Sequence, residues 1–412
     1  MKSYSASLHT LASLDCWAEV ETGGSLTVFQ SLRWLHLWAQ TLGSAASVQL
    51  LLVRVDDAHQ RTVMIWPLIR RWRNGLQVLE GIDQGVSDYH APLLLPGFAA
   101  HDAAKIVKTA LQALPAADLL HLTKLPVRYG DRVDNPLLTL PHLPMRCAAH
   151  ATRIGADWPA FYAKTASPAQ RKAMRRNQRR LAEHGRVEFV VATTPEQQEM
   201  LLTALIEQKR RRCHEKGWRD PFADPAMQAF YRGLAASPIG HLSALCLNGR
   251  PLAVHLGAIY HRRFHYLMPS FEAGAWQRFS CGRLLLEAEM EWSATHGCEV
   301  FDFTIGDHDY KSQWKTEATA LAEILIGLSW RGRIAAGALR LRRWIGRWRR
   351  RYALKAARFA SLSKQSKPSP AQRAHQPTGI ERQRRERIIA PPIAIDHRQA
   401  RRPVADPGLR SR

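Results

Sequence analysis

Tyr310 and Lys311 stand side by side in FDFTIGDHDYKSQWKTE, residues 301–317, eight positions after Asp302. A phenol can protonate a leaving group, an ammonium can neutralise a phosphate or a developing oxyanion, and a carboxylate can take a proton. Upstream, His255 lies between Ala253 and Gly257, small neighbours that leave room for a ligand beside an imidazole able to act as a base near neutral pH. The competing readings are ordinary: a satisfied core histidine, an aspartate bonded to nearby backbone, a solvated helix lysine. Arg278, Ser280, Cys281, Gly282 and Arg283 fall where a β element turns into a helix, and free N–H groups at such a turn bind anions. Arg175, Arg176 and Arg179 read either as an anion-binding face or as a solvated charged helix. Asp88 and Tyr89, in a long loop, are placed to line an acceptor site. Cys213, His214, His261, His265 and Cys298 lack ligand spacing, so no metal is expected; neither a GxSxG nor a P-loop occurs.

These groups need elements to position them. Residues 1–150 alternate helical and strand-like stretches: a helix within 27–43, strands at 47–56 and 62–71, a loop at 83–97, a helix at 102–114 and a strand at 118–126. A second block, 151–330, opens with a helix over 167–185 that has Ser167 to cap it, Pro168 in its first turn and Gly185 at its end. A strand at 187–193 and a helix over 196–217 follow. Asn248-Gly249 marks a hairpin. A helix over 280–297, with Ser280 at its N-cap, leads to the strand of the 301–317 stretch and a last strand at 321–330. The class is α/β, with mixed, mainly antiparallel sheets flanked by helices.

Charge separates the body from the tail. Residues 331–412 hold 23 Lys/Arg against 4 Asp/Glu, whereas the other 330 residues hold 36 against 31. The body is therefore an ordinary globular protein rather than a nucleic-acid binder by composition. Ile334, Ala338, Leu341, Ile345, Trp348, Tyr352, Ala356 and Phe359 form one stripe of a basic amphipathic helix within 331–360, suited to an anionic membrane surface or to packing on the body. Residues 361–412 have the composition of a disordered basic tail. Six scattered cysteines without a CxxC pair suggest reduced thiols. With no apolar run of signal or membrane-span length, the chain is expected in the cytoplasm, at most on the inner face of a membrane.

Several stretches together resemble one family. RKAMRRNQRRLAEHG (171–185), LNGRPLAVHLGAIYHRRFHYL (247–267), SCGRLLLEAEMEWSATHG (280–297) and FDFTIGDHDYKSQWKTE are similar to the CelD-like acetyltransferases of the GNAT superfamily, which are related to FemAB-type transferases. TVFQSLRWLHLWAQ (27–40) and SDYHAPL (87–93) resemble the N-terminal half of that family, so the likeness spans roughly residues 10 to 330. It implies two GNAT-like halves, 1–150 and a catalytic 151–330, and acyl transfer from acyl-CoA, acetyl-CoA above all, to an amine or hydroxyl of a small-molecule or saccharide acceptor in polysaccharide or cell-envelope synthesis. His255 or Asp302 would then be the base, Tyr310 the acid for the departing thiolate, and the 278–283 turn the pyrophosphate site. RFSCGRL departs from the usual phosphate loop in having a single glycine. FemAB relatives use aminoacyl-tRNA, which stands as the alternative donor; a non-catalytic scaffold with a lipid- or nucleic-acid-binding tail is the other alternative.

Overall fold

The computed structural model describes residues 3–13, 21, 23–44, 47–129, 133–314 and 316–345. The expected disorder of 361–412, the later part of the 331–360 helix and Cys16 lie outside the described residues. Four antiparallel strands open the chain: β1 (Ser5–His9), β2 (Val48–Asp56), β3 (Thr62–Arg73) and β4 (Leu76–Glu80), with helix α1 (Leu32–Gln40) after β1. Short β5 (Leu93–Leu94) pairs with β3. Helix α2 (Ala103–Gln112) then crosses to β6 (Leu119–Pro126), which runs parallel to β4. A small hairpin, β7 (Arg128–Tyr129) and β8 (Val133–Asp134), precedes β9 (Leu143–Arg153).

The second half repeats the plan. After α3 (Trp158–Thr165), α4 (Pro168–Ala182), β10 (Val187–Val191), α5 (Pro195–Lys216) and α6 (Pro225–Ala236), three antiparallel strands follow: β11 (Gly240–Leu247), β12 (Arg250–Tyr260) and β13 (Arg263–Phe271). Helix α7 (Cys281–Thr295) crosses to β14 (Val300–Ile305), parallel to β13, and β15 (Glu317–Gly327) ends the sheet-forming chain. Local chemistry explains the joints. Ser167 Oγ accepts the Gln170 N–H, Thr194 and Gln197 form a capping box, and Gly217 closes α5 in the left-handed conformation. Asn248 and Gly249 both take positive φ, 49° and 78°, as a two-residue hairpin turn requires.

A single sheet path, β1-β2-β3-β4-β6-β15-β9-β14-β13-β12-β11-β10, joins the halves. The halves exchange strands at its centre: β15, from the end of the second half, pairs with β6, and β9, from the end of the first, pairs with β14. Helices α1, α5 and α6 bury Trp34, Trp38, Leu205 and Phe230 against one face of β12; α7 buries Leu286 and Met290 against Phe264, Phe301 and Phe303 on the other face of the second half. Trp314 packs there too, 2% exposed. Contacts divide the chain into Met1–Trp344 and Ile345–Arg412, and every strand among the described residues belongs to the first unit.

Candidate functional site

β13 and β14 stay in register over three pairs only, Arg263 with Val300, Phe264 with Phe301 and His265 with Asp302, and then part. Two irregularities separate them. The β12–β13 ladder slips at Gly257, where an added Cβ would sit 2.6 Å from the His265 carbonyl oxygen, so the slip needs glycine. On β14, Thr304 takes φ 57°, rare for a β-branched residue, and the register with β9 shifts between Asp302 and Thr304.

The strained turn is held from two sides. Asp302 Oδ1 accepts the Thr304 N–H at 2.8 Å, and the Lys311 ammonium donates to the carbonyls of Phe303, Thr304 and Ile305 at 2.8, 3.2 and 2.9 Å. Lys311 is 2% exposed, and burial pulls its pKa down to about 8 despite the nearby Asp302 and Asp88. With three carbonyls on its three N–H bonds, Lys311 is a backbone clamp and not the ligand-facing cation its position suggested. Tyr310 beside it is half-buried, edge-on to Phe303, and its hydroxyl has no hydrogen-bond partner among the described residues. Burial pushes that phenol up to about 12, so it carries a proton at neutral pH.

Asp302, 3% exposed, also accepts the Tyr89 hydroxyl at 2.8 Å and Arg263 Nη1 at 3.1 Å. The loop carrying Asp88 and Tyr89 thus reaches across from the first half. Burial raises the Asp88 carboxyl, opposed by Lys124, and burial with Asp302 raises the Tyr89 phenol. Tyr89, Asp302, Arg263, His265 and His150 line a cavity of about 700 Å³ on the sheet face opposite α7. His265 is 1% exposed and neither ring nitrogen is hydrogen-bonded; burial lowers its pKa to about 4, so the ring is neutral. His150 Nε2 lies 2.8 Å from Asp307 Oδ1, and Nδ1 lies 3.2 Å from Thr316 Oγ1.

The first half has the same parted strands, and side chains occupy the gap. β4 and β6 also pair over three residues, and Lys124 on β6 takes φ 55°. Its ammonium meets Asp83 at 2.9 Å and the Ser87 carbonyl at 2.7 Å, and His90 bonds to the Thr123 and Lys124 carbonyls. Only about 10 Å³ remains between Gly81, His90 and Leu122. The loop that closes this wedge is the one that brings Tyr89 to Asp302.

His255 belongs to neither cleft, which corrects its reading as a base. It is fully buried; Nε2 accepts the Leu267 N–H at 3.1 Å, and Nδ1 lies 2.7 Å from Glu289 Oε1, off the axis of the ring N–H. The rings of Tyr266 and Phe264 stack on it, so the space suggested by its small neighbours is taken by aromatic side chains.

At the start of α7 the Arg283 and Leu284 N–H groups turn back to the Ser280 carbonyl, while those of Cys281 and Gly282 have no acceptor among the described residues. Ser280 occupies the N-cap position with φ 56° and makes no side-chain cap, because the left-handed backbone turns Oγ away from the helix end. The Cys281 thiol is buried and faces the Trp276 carbonyl, and burial raises it to about 11. Gly282 also has a packing reason: a Cβ there would lie 3.1 Å from the Phe271 ring. Arg278 and Arg180 cover the Phe279 ring at 4.8 and 5.7 Å. α4 sets Met174 and Leu181 against this turn and leaves Arg175, Arg176 and Arg179 exposed.

Next to the turn, Tyr162 donates to Glu287 at 2.8 Å, with Arg171 and Arg175 close to Tyr162 and Arg283 close to Glu287. Burial raises Glu287 to about 7, well above its unfolded value. Between those two values the folded chain holds a proton that the unfolded chain has lost, so this group's contribution to stability is full below pH 4.5 and falls as pH rises through about 7. Glu287→Gln should flatten the decline in melting temperature over that window; an unchanged profile would refute the assignment.

The sequence does not single out Arg263, His150, Asp307 or the Tyr162–Glu287 pair, and it offers His265 only as a rejected metal ligand. For His265 and Arg263 a signal exists in the strand-like stretch RFHYLMPSF (263–271), whereas His150 lies in β9, which straddles the boundary placed at 150. Among the described residues no cluster of His, Cys, Asp or Glu is placed to hold a metal ion.

Residues 168–312 match the family model of an acetyltransferase (GNAT) domain. No curated protein matches the sequence. Among solved structures, FemX shares 12% identity at TM-score 0.53, covering 77% of this chain and 96% of its own. A tandem GNAT protein from the clavulanic acid biosynthesis pathway gives 11% and 0.45 (79% and 100% covered), and L-PGS from Bacillus licheniformis 10% and 0.44 (76% and 96%). Residues 168–312 thus have the pattern of a GNAT acetyltransferase domain, set in a two-half fold shared with FemX.

Proposed function

We propose that the protein transfers an acyl group from acyl-CoA to an amine or hydroxyl acceptor bound in the 700 Å³ cleft. The observation that carries this reading is the extent of the 168–312 match: it runs from the arginine helix through the parted strands and the α7 start to Tyr310 and Lys311. The acyl thioester enters between β13 and β14, its pyrophosphate taken by the Cys281 and Gly282 N–H groups with Arg283 and Arg175 alongside. The acceptor attacks the thioester carbon, a C–N or C–O bond forms, and the C–S bond breaks. Asp302, fixed by Tyr89, Arg263 and Thr304, takes the acceptor's proton, and Tyr310 protonates the departing sulfur. The likeness to CelD-like sequences supports a saccharide acceptor of the cell envelope.

Titration with acetyl-CoA and with aminoacyl-tRNA separates the donors. Saturable acetyl-CoA binding with product formation is expected; binding of aminoacyl-tRNA alone would shift the reading to a FemAB-type transferase, and binding of neither would leave a scaffold. Arg283→Ala should raise the KM for acetyl-CoA roughly tenfold, as loss of one charge-assisted hydrogen bond does, with kcat little changed. An unaltered KM would remove the pyrophosphate from this turn.

A further inference from the structure

The helix that follows β15, over 330–344, turns opposite sides to the body and to solvent. On the inner side, Gly332 and Ala336 are buried and Leu339 partly so, against Val78, Leu119 and Leu325; Arg343 pairs with Glu323 and Arg340 donates to the Leu325 carbonyl. The body is satisfied by that side. At 3.6 residues per turn, Trp330, Ile334, Leu341 and Trp344 fall within about 80° of one another on the far side. They are 70, 65, 57 and 56% exposed, in a protein whose other large apolar side chains are mostly buried. Arg342 borders this stripe on one flank and Arg333 on the other, both exposed, while Arg331, on the same flank as Arg342, donates to the Gly75 carbonyl of the body.

We propose that this stripe docks in the interface of an anionic phospholipid bilayer. Two tryptophans at the ends of a short apolar stripe, bordered by arginines on both flanks, suit a helix lying at the boundary of acyl chains and headgroup phosphates. No helix among the described residues is long and apolar enough to cross a membrane, so the helix lies along the surface. Charge selects the lipid: the sequence from 331 onward carries 23 Lys/Arg against 4 Asp/Glu, and each basic residue near an anionic surface strengthens binding about fivefold. A protein partner would need to offer a groove of matching shape and negative charge, whereas a bilayer offers both without a specific fit. The proposal is independent of the acyl-transfer reading.

The test is flotation of the full chain with vesicles of phosphatidylcholine, or of phosphatidylcholine mixed with phosphatidylglycerol. Binding to the mixed vesicles should exceed binding to phosphatidylcholine by roughly tenfold or more and weaken with salt. Replacing Trp330, Ile334, Leu341 and Trp344 together by serine should lower it by roughly tenfold or more at an unchanged melting temperature. If that variant fails to fold, Ile334→Glu alone carries the test, with loss of binding expected. Failure of the wild-type chain to float with the mixed vesicles would overturn the proposal. So would undiminished flotation of the folded variants.

Discussion

Asp302→Ala is expected to lower acyl transfer by roughly a hundredfold or more and to destabilise the fold by about 3 kcal/mol. The carboxylate is 3% exposed and serves three donors: the Tyr89 hydroxyl, Arg263 and the Thr304 N–H. Alanine leaves two buried donors unpaired, each worth about 1–3 kcal/mol, and takes the counter-charge from Arg263. It also frees Thr304 from its left-handed turn, and a shift of about 1 Å at a reacting centre is enough for a hundredfold loss. Asp302→Asn separates the two effects. An amide oxygen still accepts from Tyr89 and Thr304, so most of the stability should return while turnover stays low. Urea unfolding and steady-state kinetics on the three proteins read both quantities. Wild-type kcat/KM in Asp302→Ala would end the assignment.

His255→Ala should have the opposite profile, a large loss of stability and little loss of chemistry. Glu289 is fully buried, with Ser243 donating to Oε1, His255 beside it and no partner on Oε2. Removing the histidine strands that carboxylate, at about 3–5 kcal/mol. It also removes the acceptor of the Leu267 N–H, next to the slip in β13. The double variant His255→Ala, Glu289→Gln should be more stable than His255→Ala alone, since the stranded group is then neutral. Below its melting temperature, the folded fraction should keep kcat within a few-fold of wild type. Full stability with collapsed kcat would restore His255 as the base.

Sequence legibility followed the range of the interactions. Ser167-Pro168, Thr194-Pro195 with Gly217, and Asn248-Gly249 set their own turns through bonds within a few residues, and the elements they bound lie close to where the pattern puts them. The two-half architecture was visible through resemblance, and the repeat of antiparallel strands, crossover helix and parallel strand gives it physical form. β9 was not legible. LPMRCAAHATR shows no clean alternation, and the partners that make it a strand, β14 and β15, come well over a hundred residues later. His150 was lost with it, because Asp307 is 157 positions away. At His255 the pattern of small neighbours indicated space, and side chains from β13 and α7 fill it; nothing local to 253–257 encodes that. Lys311 was found by its neighbourhood and misread in role, since its three acceptors are backbone carbonyls that any sequence has.

The exchange of β9 and β15 also sets the order in which the chain can finish folding. β15 is the last strand among the described residues to leave the ribosome, yet its place is beside β6, which ends at Pro126. Translation at about 5–20 residues per second separates the two by roughly 10–40 s. Throughout that interval the nascent first half presents an unpaired sheet edge, the kind of surface that associates with other chains. A ribosome-bound holdase that covers β6 until Gly327 emerges would therefore raise the yield of native protein, and a chain cut short before β15 would leave that edge open for good.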